Sequence, residues 1–452
     1  MEQLSLKDIA QALDSSCQAD TVVSDICIDT REVKEGSLFV AIKGERFDGH
    51  DFISKAFESG ASAAVSHKPV LAEKPVLLVE DTRKAFLKLG GWYRRRFPVK
   101  VVSVTGSVGK TSTKEMIDTV LSSSFKTLKT EGNLNNEIGL PKTLFRLDQS
   151  YEAAVIEMGM SGFGEISRLS CAAQGDIGVI TNIGVSHIEK LGSRENILKA
   201  KLEILDGLKN GAPLVLNADD ELLETVTLYD RPVIRYGICS ETADVRARNL
   251  KTEGLATEFD LFYHGKCYPA RIPVLGRHHV FNALAAFAVG TWFGVSPERI
   301  VEAFLSYQPS GMRQKIINFH GITVVEDCYN ASPDSMKASL SILPLLVKGE
   351  GKKVAVLGDM LELGAYSEEA HRSVGRCAAE NHLDTVLCLG ENSAFTAQEA
   401  RNGGVPCVIF LKEKEEAAAW LRENLRAGDA VLFKASRGMK FEDIISAFYG
   451  KE

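Results

Sequence analysis

The chain has 452 residues, of which 45% are hydrophobic and 25% charged, and its formal net charge is -7. This length is too great for one ordinary core and predicts a soluble globular protein of two or three domains. The acidic balance gives no reason to expect a nucleic acid or an anionic membrane surface as a partner.

Targeting and disulfide signals are missing from the sequence. The start MEQLSLKDIA lacks a basic stretch leading into an apolar one, and no run approaches the roughly 18 apolar residues that cross a bilayer. The 9 cysteines are scattered without a Cys-x-x-Cys pair, which indicates reduced core residues. We therefore expect a cytoplasmic protein without membrane insertion.

The first segment mixes short strands with helices and carries the polar stretch DTREVKEGSLFVAIKGERFDGHDF at residues 29–52. The basic, proline-containing stretch RRRFPVK at residues 94–100 has the composition of a linker. The first predicted domain therefore covers residues 1–98.

From residue 101 the pattern becomes strand, glycine loop and helix. Further strands are predicted at residues 153–159, 176–184 and 213–219, and helices at residues 193–208, at 277–294 and from Ser296. This alternation favours a mostly parallel sheet covered by helices, which forms a central domain over residues 99–312.

After Gly311 the alternation of strand and helix begins again. The strands ITVVEDC, KKVAVLGD, TVLCLG, CVIFL and AVLFKAS alternate with helices that begin near Ser332, Ser367, Asn392, Glu413 and Met439. Five strands and five helices in about 140 residues are typical of a doubly wound, Rossmann-like domain, here residues 313–452.

The stretch VVSVTGSVGKTSTKEM at residues 101–116 is a shortened form of the phosphate-binding pattern, because Val104 stands where the longer form has glycine. A loop between strand and helix points backbone amides and the positive helix end at an anion. Lys110 would then reach the outer phosphates, and Thr111 would offer its hydroxyl to Mg²⁺. We predict nucleotide binding here rather than a simple glycine-rich turn.

Polar side chains follow two other apolar strands. Glu157 ends the strand in VIEMG and His187 follows the one in TNIGVSH, so both would lie at the carboxyl edge of the sheet. They are candidate ligands of a divalent metal, and two unrelated strand ends are the alternative. By residue type alone, Lys201 fits a solvated helix face and Asn282 fits a buried packing residue.

The motifs TGSVGKTST, IEMG, NIGVSH, AKLE and GMR, with the helix that carries Asn282, resemble the Mur ligase family of bacterial cell-wall synthesis. Its members form amide bonds with ATP and characteristically carry the short phosphate loop. Four further stretches narrow the resemblance to one member of the family. They are DTREVKEGSLFVAIKGERFDGHDF, EGNLNNEIGLP, EDCYNASPDSMKASL with VLGDMLELG, and FKASRGM. They are similar to the member that joins D-alanyl-D-alanine to UDP-N-acetylmuramoyl-tripeptide.

The resemblance implies a fold and a reaction. A central P-loop ATPase domain with a parallel sheet would lie between an amino-terminal UDP-substrate domain and the Rossmann-like domain, which would receive the dipeptide. ATP would phosphorylate the tripeptide carboxylate, and the dipeptide amine would attack the acyl phosphate. A monomer, two Mg²⁺ ions and a carbamylated Lys201 are also implied.

The resemblance also assigns residues to roles. The catalytic set is Lys110, Glu157, His187 and Lys201, and the metal set is Thr111, Glu157, His187 and Lys201. The ATP set is Thr105, Gly106, Ser107, Val108, Gly109, Lys110, Thr111, Ser112, Thr113, Asn282, Arg313, Asp327, Tyr329 and Asn330. The substrate set is Thr30, Arg31, Lys43, Asp48, Gly49, His50, Asn133, Asn135, Asn136, Lys434, Ser436 and Arg437. Without the resemblance, the three asparagines indicate only a turn.

Two residues depart from the family pattern. Val108 stands where the loop often has Asn, and Ser332 replaces the second Asn of Tyr-Asn-Ala-Asn-Pro, where it would also cap the helix that starts at Pro333. The alternatives to the ligase are a relative that adds glutamate to folate or forms another muramyl peptide bond, a P-loop kinase, and a nucleotide-binding switch. Both lysine and diaminopimelate are compatible as the third peptide residue.

Overall fold

The computed structural model describes residues 1–450, and the chain clusters into two compact units. The first unit comprises Met1–Thr105, Ser124–Gly178 and Leu202–Pro213. The second comprises Gly106–Ser123, Val179–Lys201 and the chain from Leu214 onward. The predicted central domain therefore contributes segments to both units.

The amino-terminal segment contains a small parallel sheet. Its elements are β1 (Leu4–Ser5), α1 (Leu6–Ala12), β2 (Val22–Val23), β3 (Asp25–Cys27), β4 (Ser37–Val40), α2 (Ile53–Glu58), β5 (Ala63–Ser66), β6 (Val76–Leu78) and α3 (Thr82–Arg94). Strands β3 to β6 pair in parallel in chain order, whereas β1 and β2 pair antiparallel. The inner strands β4 and β5 are buried throughout, as expected when both faces of a parallel sheet are covered.

The stretch that composition indicated as a linker is anchored rather than free. It begins within α3, and Arg94 is buried, with Nε donating to the Ala173 carbonyl at 2.7 Å and Nη2 donating to the Val99 carbonyl at 3.1 Å. Composition misled here because a buried arginine that satisfies backbone carbonyls is indistinguishable in sequence from a solvated one.

The middle segment supplies strands and helices to both units. Its elements are β7 (Lys100–Thr105), α4 (Lys110–Ser122), β8 (Thr127–Lys129), α5 (Gly139–Leu144), β9 (Ala153–Glu157), α6 (Glu165–Ala173), β10 (Ile177–Ile180), α7 (Ile188–Leu191), α8 (Arg194–Leu202), β11 (Leu214–Asn217), α9 (Glu221–Glu224), β12 (Val233–Gly237), β13 (Val245–Glu253), β14 (Ala256–Tyr263), β15 (Lys266–Ile272), α10 (Arg277–Trp292) and α11 (Pro297–Ala303). In the first unit, β7 and β8 each pair in parallel with β9.

In the second unit, β11, β12 and the start of β13 are parallel, but β13, β14 and β15 form an antiparallel meander. We did not predict this meander. The sequence signal for this meander is its two-residue turns. Gly254, with φ 59°, begins the turn between β13 and β14, and His264-Gly265, with φ 47° and 74°, forms the turn between β14 and β15.

The carboxyl-terminal segment forms a six-stranded sheet. Its elements are β16 (Lys315–Phe319), β17 (Ile322–Glu326), α12 (Pro333–Leu340), α13 (Leu343–Leu346), β18 (Lys353–Gly358), α14 (Ser367–Glu380), β19 (Thr385–Leu389), α15 (Ser393–Asn402), β20 (Cys407–Leu411), α16 (Lys414–Asn424), β21 (Ala430–Lys434) and α17 (Glu442–Phe448). The order is β16-β17-β21-β18-β19-β20, and only the edge strand β16 is antiparallel.

Strand β18 shows why this segment is doubly wound. Val354 and Val356 belong to the core on one face of the sheet, whereas Ala355 and Leu357 belong to the core on the other. A strand that is apolar on both faces must be covered by helices on both sides. The α/β fold class and the predicted Rossmann-like domain are therefore confirmed, and β16 and α13 are additions to the predicted elements.

Membrane-spanning helices and disulfides are not part of the described fold. Within residues 1–450, no helix combines the length and the hydropathy that a bilayer crossing requires. All 9 cysteines are free thiols, but only Cys27, Cys328, Cys377 and Cys388 are buried, so the predicted core position is wrong for the other five.

Candidate active site

The phosphate loop of the second unit is built on two glycines in unusual conformations. Gly106 has φ 153°, and a Cβ there would lie 1.8 Å from Thr181 Oγ1, so no other residue fits. Gly109 has φ 82° and immediately precedes α4. The short loop thus forms the tight turn between strand and helix that sequence analysis predicted.

The Lys110 side chain folds back over this loop. Its Nζ donates to the Gly106 carbonyl at 2.8 Å and to the Ser107 carbonyl at 3.3 Å. The ammonium therefore lies above the turn, where it would exchange carbonyl oxygens for phosphate oxygens when an anion binds.

Asn182 is a loop-supporting residue that sequence analysis missed. Its Oδ1 accepts from the Val108 amide at 2.9 Å, its Nδ2 donates to the Val108 carbonyl at 3.0 Å, and its own carbonyl accepts from the Ser107 amide at 3.1 Å. Two amides that we assigned to phosphate are thus already hydrogen-bonded. The available signal was an amide side chain directly after β10, in the NIGVSH motif.

The first turn of α4 carries three consecutive hydroxyl residues of the predicted ATP set, Thr111, Ser112 and Thr113. Thr111 and Thr113 are both buried. The Thr113 hydroxyl donates to Asn282 Oδ1 at 2.9 Å, so the structure brings together the phosphate-loop helix and the predicted adenine contact on α10.

His187 lies at the start of α7 with a left-handed backbone, φ 62°. Its Nδ1 is 2.7 Å from Glu362 Oε2 in the carboxyl-terminal segment, although the two groups do not align as a hydrogen bond. Burial lowers the pKa of His187, Lys110 and Lys201 act in the same direction, and Glu362 opposes them. No role was predicted for Glu362, which lies in the stretch VLGDMLELG.

Lys201 corrects the expectation drawn from residue type alone. Instead of lying on a solvated helix face, it is only 2% exposed on α8. Burial, and then the charge of Lys110, lowers the pKa of its amine well below the ordinary 10.5. Within residues 1–450, no hydrogen bond or ion pair satisfies this amine, so a neutral or chemically modified form is favoured.

Glu157 lies in the first unit, at the end of β9, and is 2% exposed. Its Oε1 accepts from Asn135 Nδ2 at 2.8 Å, so one asparagine of the predicted substrate set orients the candidate catalytic carboxylate. Asn136 instead accepts from the Ile138 and Gly139 amides, which is the turn function that residue type suggested. Asn133 accepts from the Asn135 amide through its carbonyl.

The remaining first-unit residues of the substrate set divide into two groups. Arg31, next to Thr30, pairs with Asp29 and lowers the pKa of that carboxyl to about 2. Asp48, in a backbone bridge with Lys43, accepts from the His50 amide at 3.1 Å and from Lys68 Nζ at 2.8 Å.

The turn that holds Asp48 requires glycine at the next position. A Cβ at Gly49 would lie 2.7 Å from the Ile42 backbone. His50 also stacks edge-on against His67, with 4.1 Å between the ring centroids. His67 and Lys68 were not predicted, and together with Asp48 and His50 they form a polar cluster at this turn.

The carboxyl-terminal segment brings together most of its predicted residues. The Arg313 guanidinium stacks over the Tyr329 ring at 4.0 Å. Lys434 Nζ donates to Asp327 Oδ2 at 2.7 Å and to the Asn330 carbonyl at 3.4 Å, in a largely buried cluster. Lys434, which is predicted to bind the dipeptide, thus contacts two residues that are predicted to bind ATP, Asp327 and Asn330.

The two predicted dipeptide residues that follow Lys434 contact residues outside the predicted sets. Ser436 Oγ accepts from the Leu361 amide at 2.9 Å, and Arg437 pairs with Glu442 at 2.8 Å. Ser332, the departure from the family motif, accepts from the Ser335 amide and caps α12, as we expected from its position before Pro333.

A cavity of about 570 Å³ lies in the second unit, beside the loops that follow β10 and β11. Its lining includes Asn182, Gly184, Arg194, Phe281 and Asp334. The space therefore extends from the residue that holds the phosphate loop to α12, and it offers room for a small molecule.

A complete protein-only metal centre is not part of the described chain. No group of three or more His, Cys, Asp or Glu side chains within residues 1–450 is arranged to hold a metal ion. The predicted metal set contains one carboxylate and one imidazole, which suits an ion such as Mg²⁺ that keeps waters and binds substrate phosphates.

Family models match three consecutive parts of the chain. The model described as the Mur ligase family, catalytic domain, matches residues 22–96. The Mur ligase middle domain matches residues 104–290, and the Mur ligase, glutamate ligase domain, matches residues 312–437.

Curated relatives match nearly the whole chain. The UDP-N-acetylmuramoyl-tripeptide--D-alanyl-D-alanine ligase of Bacillus subtilis (strain 168) is 41% identical over 94% of this chain and 93% of its own. The ligase of the same name from Escherichia coli (strain K12) is 37% identical over 87% of both chains.

Solved structures agree with these matches. A crystal structure of MurF from Acinetobacter baumannii superposes with a TM-score of 0.91 at 31% identity, covering 100% of both chains. MurF ligase from Thermotoga maritima in complex with ADP gives 0.87 at 30% identity, covering 95% of this chain and 98% of the other.

Proposed function

Because this chain belongs to the Mur ligase family, we propose that it is the ATP-dependent ligase that adds D-alanyl-D-alanine to UDP-N-acetylmuramoyl-tripeptide during peptidoglycan synthesis. The observation that carries the proposal is 41% identity to a ligase of that name over 94% of the chain. The geometry of the short phosphate loop supports it. A cytoplasmic monomer with roles in cell shape and division follows from the same proposal.

The reaction needs activation because a carboxylate and an ammonium do not condense in neutral water. A carboxylate oxygen of the tripeptide attacks the γ-phosphorus of ATP, which forms an acyl phosphate and releases ADP. The dipeptide amine then attacks the carbonyl carbon, loses a proton and expels inorganic phosphate. Phosphoryl transfer of this kind depends on positioning and charge neutralisation.

Lys110 is the proposed cation for the transferred phosphoryl group. It already lies over the loop carbonyls, so a triphosphate replaces an existing contact and need not draw the side chain out of solvent. The proposed nucleotide site consists of the loop from Thr105 to Thr113 together with Asn282, Arg313, Asp327, Tyr329 and Asn330. Asn182 maintains this loop through both polar groups of Val108.

The side chains present fit a Mg²⁺-dependent site. We assign Thr111 and Glu157 to one ion and His187 with carbamylated Lys201 to a second. Mg²⁺ would neutralise charge on the transferring phosphoryl group. The fit rests on Lys201, because a buried amine with a lowered pKa is the form that adds CO₂, and the product is an anionic ligand.

The substrate residues remain proposals of the same kind. Thr30, Arg31, Lys43, Asp48, Gly49 and His50 would bind the UDP group, and Asn133, Asn135 and Asn136 would bind the sugar or peptide. Lys434, Ser436 and Arg437 would receive the dipeptide. The domain boundaries at residues 98 and 312 would separate these three functions.

Phosphate release tests the proposal. The protein is incubated with ATP, Mg²⁺ and UDP-N-acetylmuramoyl-tripeptide, with and without D-alanyl-D-alanine. Release that requires both acceptors, with formation of the pentapeptide product, is the expected result. Release with neither acceptor would instead indicate an ATPase or switch, and a stable phosphorylated product would indicate a kinase.

A further inference from the structure

A chain of buried polar side chains runs from the phosphate-loop helix to the start of the carboxyl-terminal segment. Thr113 Oγ1 donates to Asn282 Oδ1 at 2.9 Å, and Asn282 Nδ2 lies 3.4 Å from His279 Nδ1. His279 Nε2 lies 2.6 Å from Gln314 Oε1. All four residues are at most 6% exposed, so water does not compete for these contacts.

The Leu275 carbonyl fixes the direction of every hydrogen bond in this network of side chains. Gln314 Nε2 donates to the Leu275 carbonyl at 2.9 Å, which leaves Gln314 Oε1 as the acceptor for both His278 Nε2, at 2.8 Å, and His279 Nε2. Each imidazole must therefore carry its proton on Nε2. The bare Nδ1 of His279 then accepts from Asn282 Nδ2, and Asn282 Oδ1 faces the Thr113 hydroxyl.

The surroundings keep these histidines neutral, as this pattern requires. Burial lowers the pKa of His278, and burial with the neighbouring His278 lowers the pKa of His279 well below 6.5. A charged His279 would point an N–H at the Asn282 amide donor. Both side-chain polar atoms of Gln314 are thus hydrogen-bonded, and the pattern allows one orientation of the Asn282 amide.

Both ends of this network lie next to proposed nucleotide-site residues. A Cβ at Gly109 would lie 3.5 Å from Asn282 Oδ1, so the amide lies against the phosphate loop. At the other end, Gln314 follows Arg313, whose guanidinium covers Tyr329. Gln314 itself has a left-handed backbone, φ 51°, in a buried position, which indicates that surrounding contacts hold it there.

We infer that Gln314 is a positioning residue that orients the Asn282 amide through His279 and so couples docking of the carboxyl-terminal segment to nucleotide binding. The inference rests on the proposed function, since it assumes that this loop binds ATP. Because such coupling is reciprocal, bound nucleotide must stabilise the docked carboxyl-terminal segment by the same free energy by which docking strengthens nucleotide binding.

Nucleotide affinity in Gln314→Leu tests the inference. Leucine keeps the volume but removes the acceptor, so we expect ADP to bind about tenfold more weakly by calorimetry. Gln314→Gly, which suits the left-handed backbone, provides the same test if the leucine variant folds poorly. The KM for ATP should rise, while the KM for the dipeptide stays unchanged. Unchanged ADP affinity in a folded variant would overturn the inference.

A matched control separates positioning from general loss of stability. Thr396→Val removes a buried hydrogen bond of 3.0 Å from the Thr396 hydroxyl on α15 to the His371 carbonyl, outside this network of contacts. It should leave ADP affinity at the wild-type value. If it weakens ADP as much as Gln314→Leu, the effect is structural and the inference fails.

Two further measurements address the chain itself. Imidazole ¹⁵N spectra should show His279 protonated at Nε2 in the wild type and a mixture of tautomers in Gln314→Leu. In a double-mutant cycle, Gln314→Leu combined with Asn282→Ala should weaken ADP no more than Asn282→Ala alone. If the double variant instead loses ADP affinity by the product of the two single losses, or if the His279 spectrum is unchanged in Gln314→Leu, coupling through His279 is contradicted. A wild type that binds no ADP would instead refute the proposed function.

Discussion

Two lysines of the second unit are buried to a similar degree but have different neighbours. Lys114 on α4 lies 3.0 Å from Glu115 Oε1, whereas Lys201 on α8 has Lys110, a like charge, as its named electrostatic neighbour. A buried cation is tolerated when an anion accompanies it. Lys114 therefore fits a packing role, whereas burial of Lys201 disfavours its charged form and indicates a chemical role.

The largest expected effect is on activity. Lys201→Ala should lower kcat/KM by about 10² to 10³-fold, because the carbamate that completes the charge environment is lost. Acetate or another short carboxylate should partly restore phosphate release. Lys114→Ala serves as the comparison: any loss there follows from stability and should not respond to added carboxylate. Full activity in Lys201→Arg, with no restoration of the alanine variant, would rule out the carbamate.

Stability should change in opposite directions for the two lysines. In CO₂-free buffer near neutral pH, Lys201→Met should raise the free energy of unfolding by about 1–3 kcal/mol, because an unpaired buried amine is replaced by an apolar side chain. Lys114→Met should lower it by a similar amount, because an ion pair with Glu115 is removed. Chemical denaturation measures both values. Equal signs for the two variants would abolish the distinction between the lysines.

The stability difference for Lys201 should also depend on pH. Its folded-state pKa is lowered from 10.5, so between the two values the unfolded chain binds more protons and stability rises with pH. The pH-dependent part of the advantage of Lys201→Met should therefore be greatest at low pH and disappear as pH rises past 10.5. The slope should not exceed about 1.4 kcal/mol per pH unit. A difference that is constant from neutral to alkaline pH would contradict a lowered pKa.

Much of the fold could be predicted because its signals are local. The continuous apolar run of β18 identifies a buried parallel strand, and the glycine loop before α4 identifies a phosphate turn, both without tertiary information. The antiparallel strands β13 to β15 had a readable turn signal that we did not use. Composition near residue 94 did not indicate that Arg94 is buried, because its burial is decided by distant carbonyls.

The site was less predictable, because its contacts join distant parts of the chain. Asn182 binds Val108, which is 74 residues away, and Gln314 binds His279, which is 35 residues away. Neither distance is encoded in a local pattern. The burial of Lys201 is also tertiary, so residue type indicated a solvated face and only the family resemblance indicated a functional lysine.

Carbon-13 spectroscopy tests the central claim about Lys201 most directly. Protein equilibrated with ¹³C-bicarbonate, ADP and Mg²⁺ should show a carbamate signal that is absent in Lys201→Arg and retained in Lys114→Met. A wild-type spectrum without that signal, or one that Lys201→Arg leaves unchanged, would contradict the account.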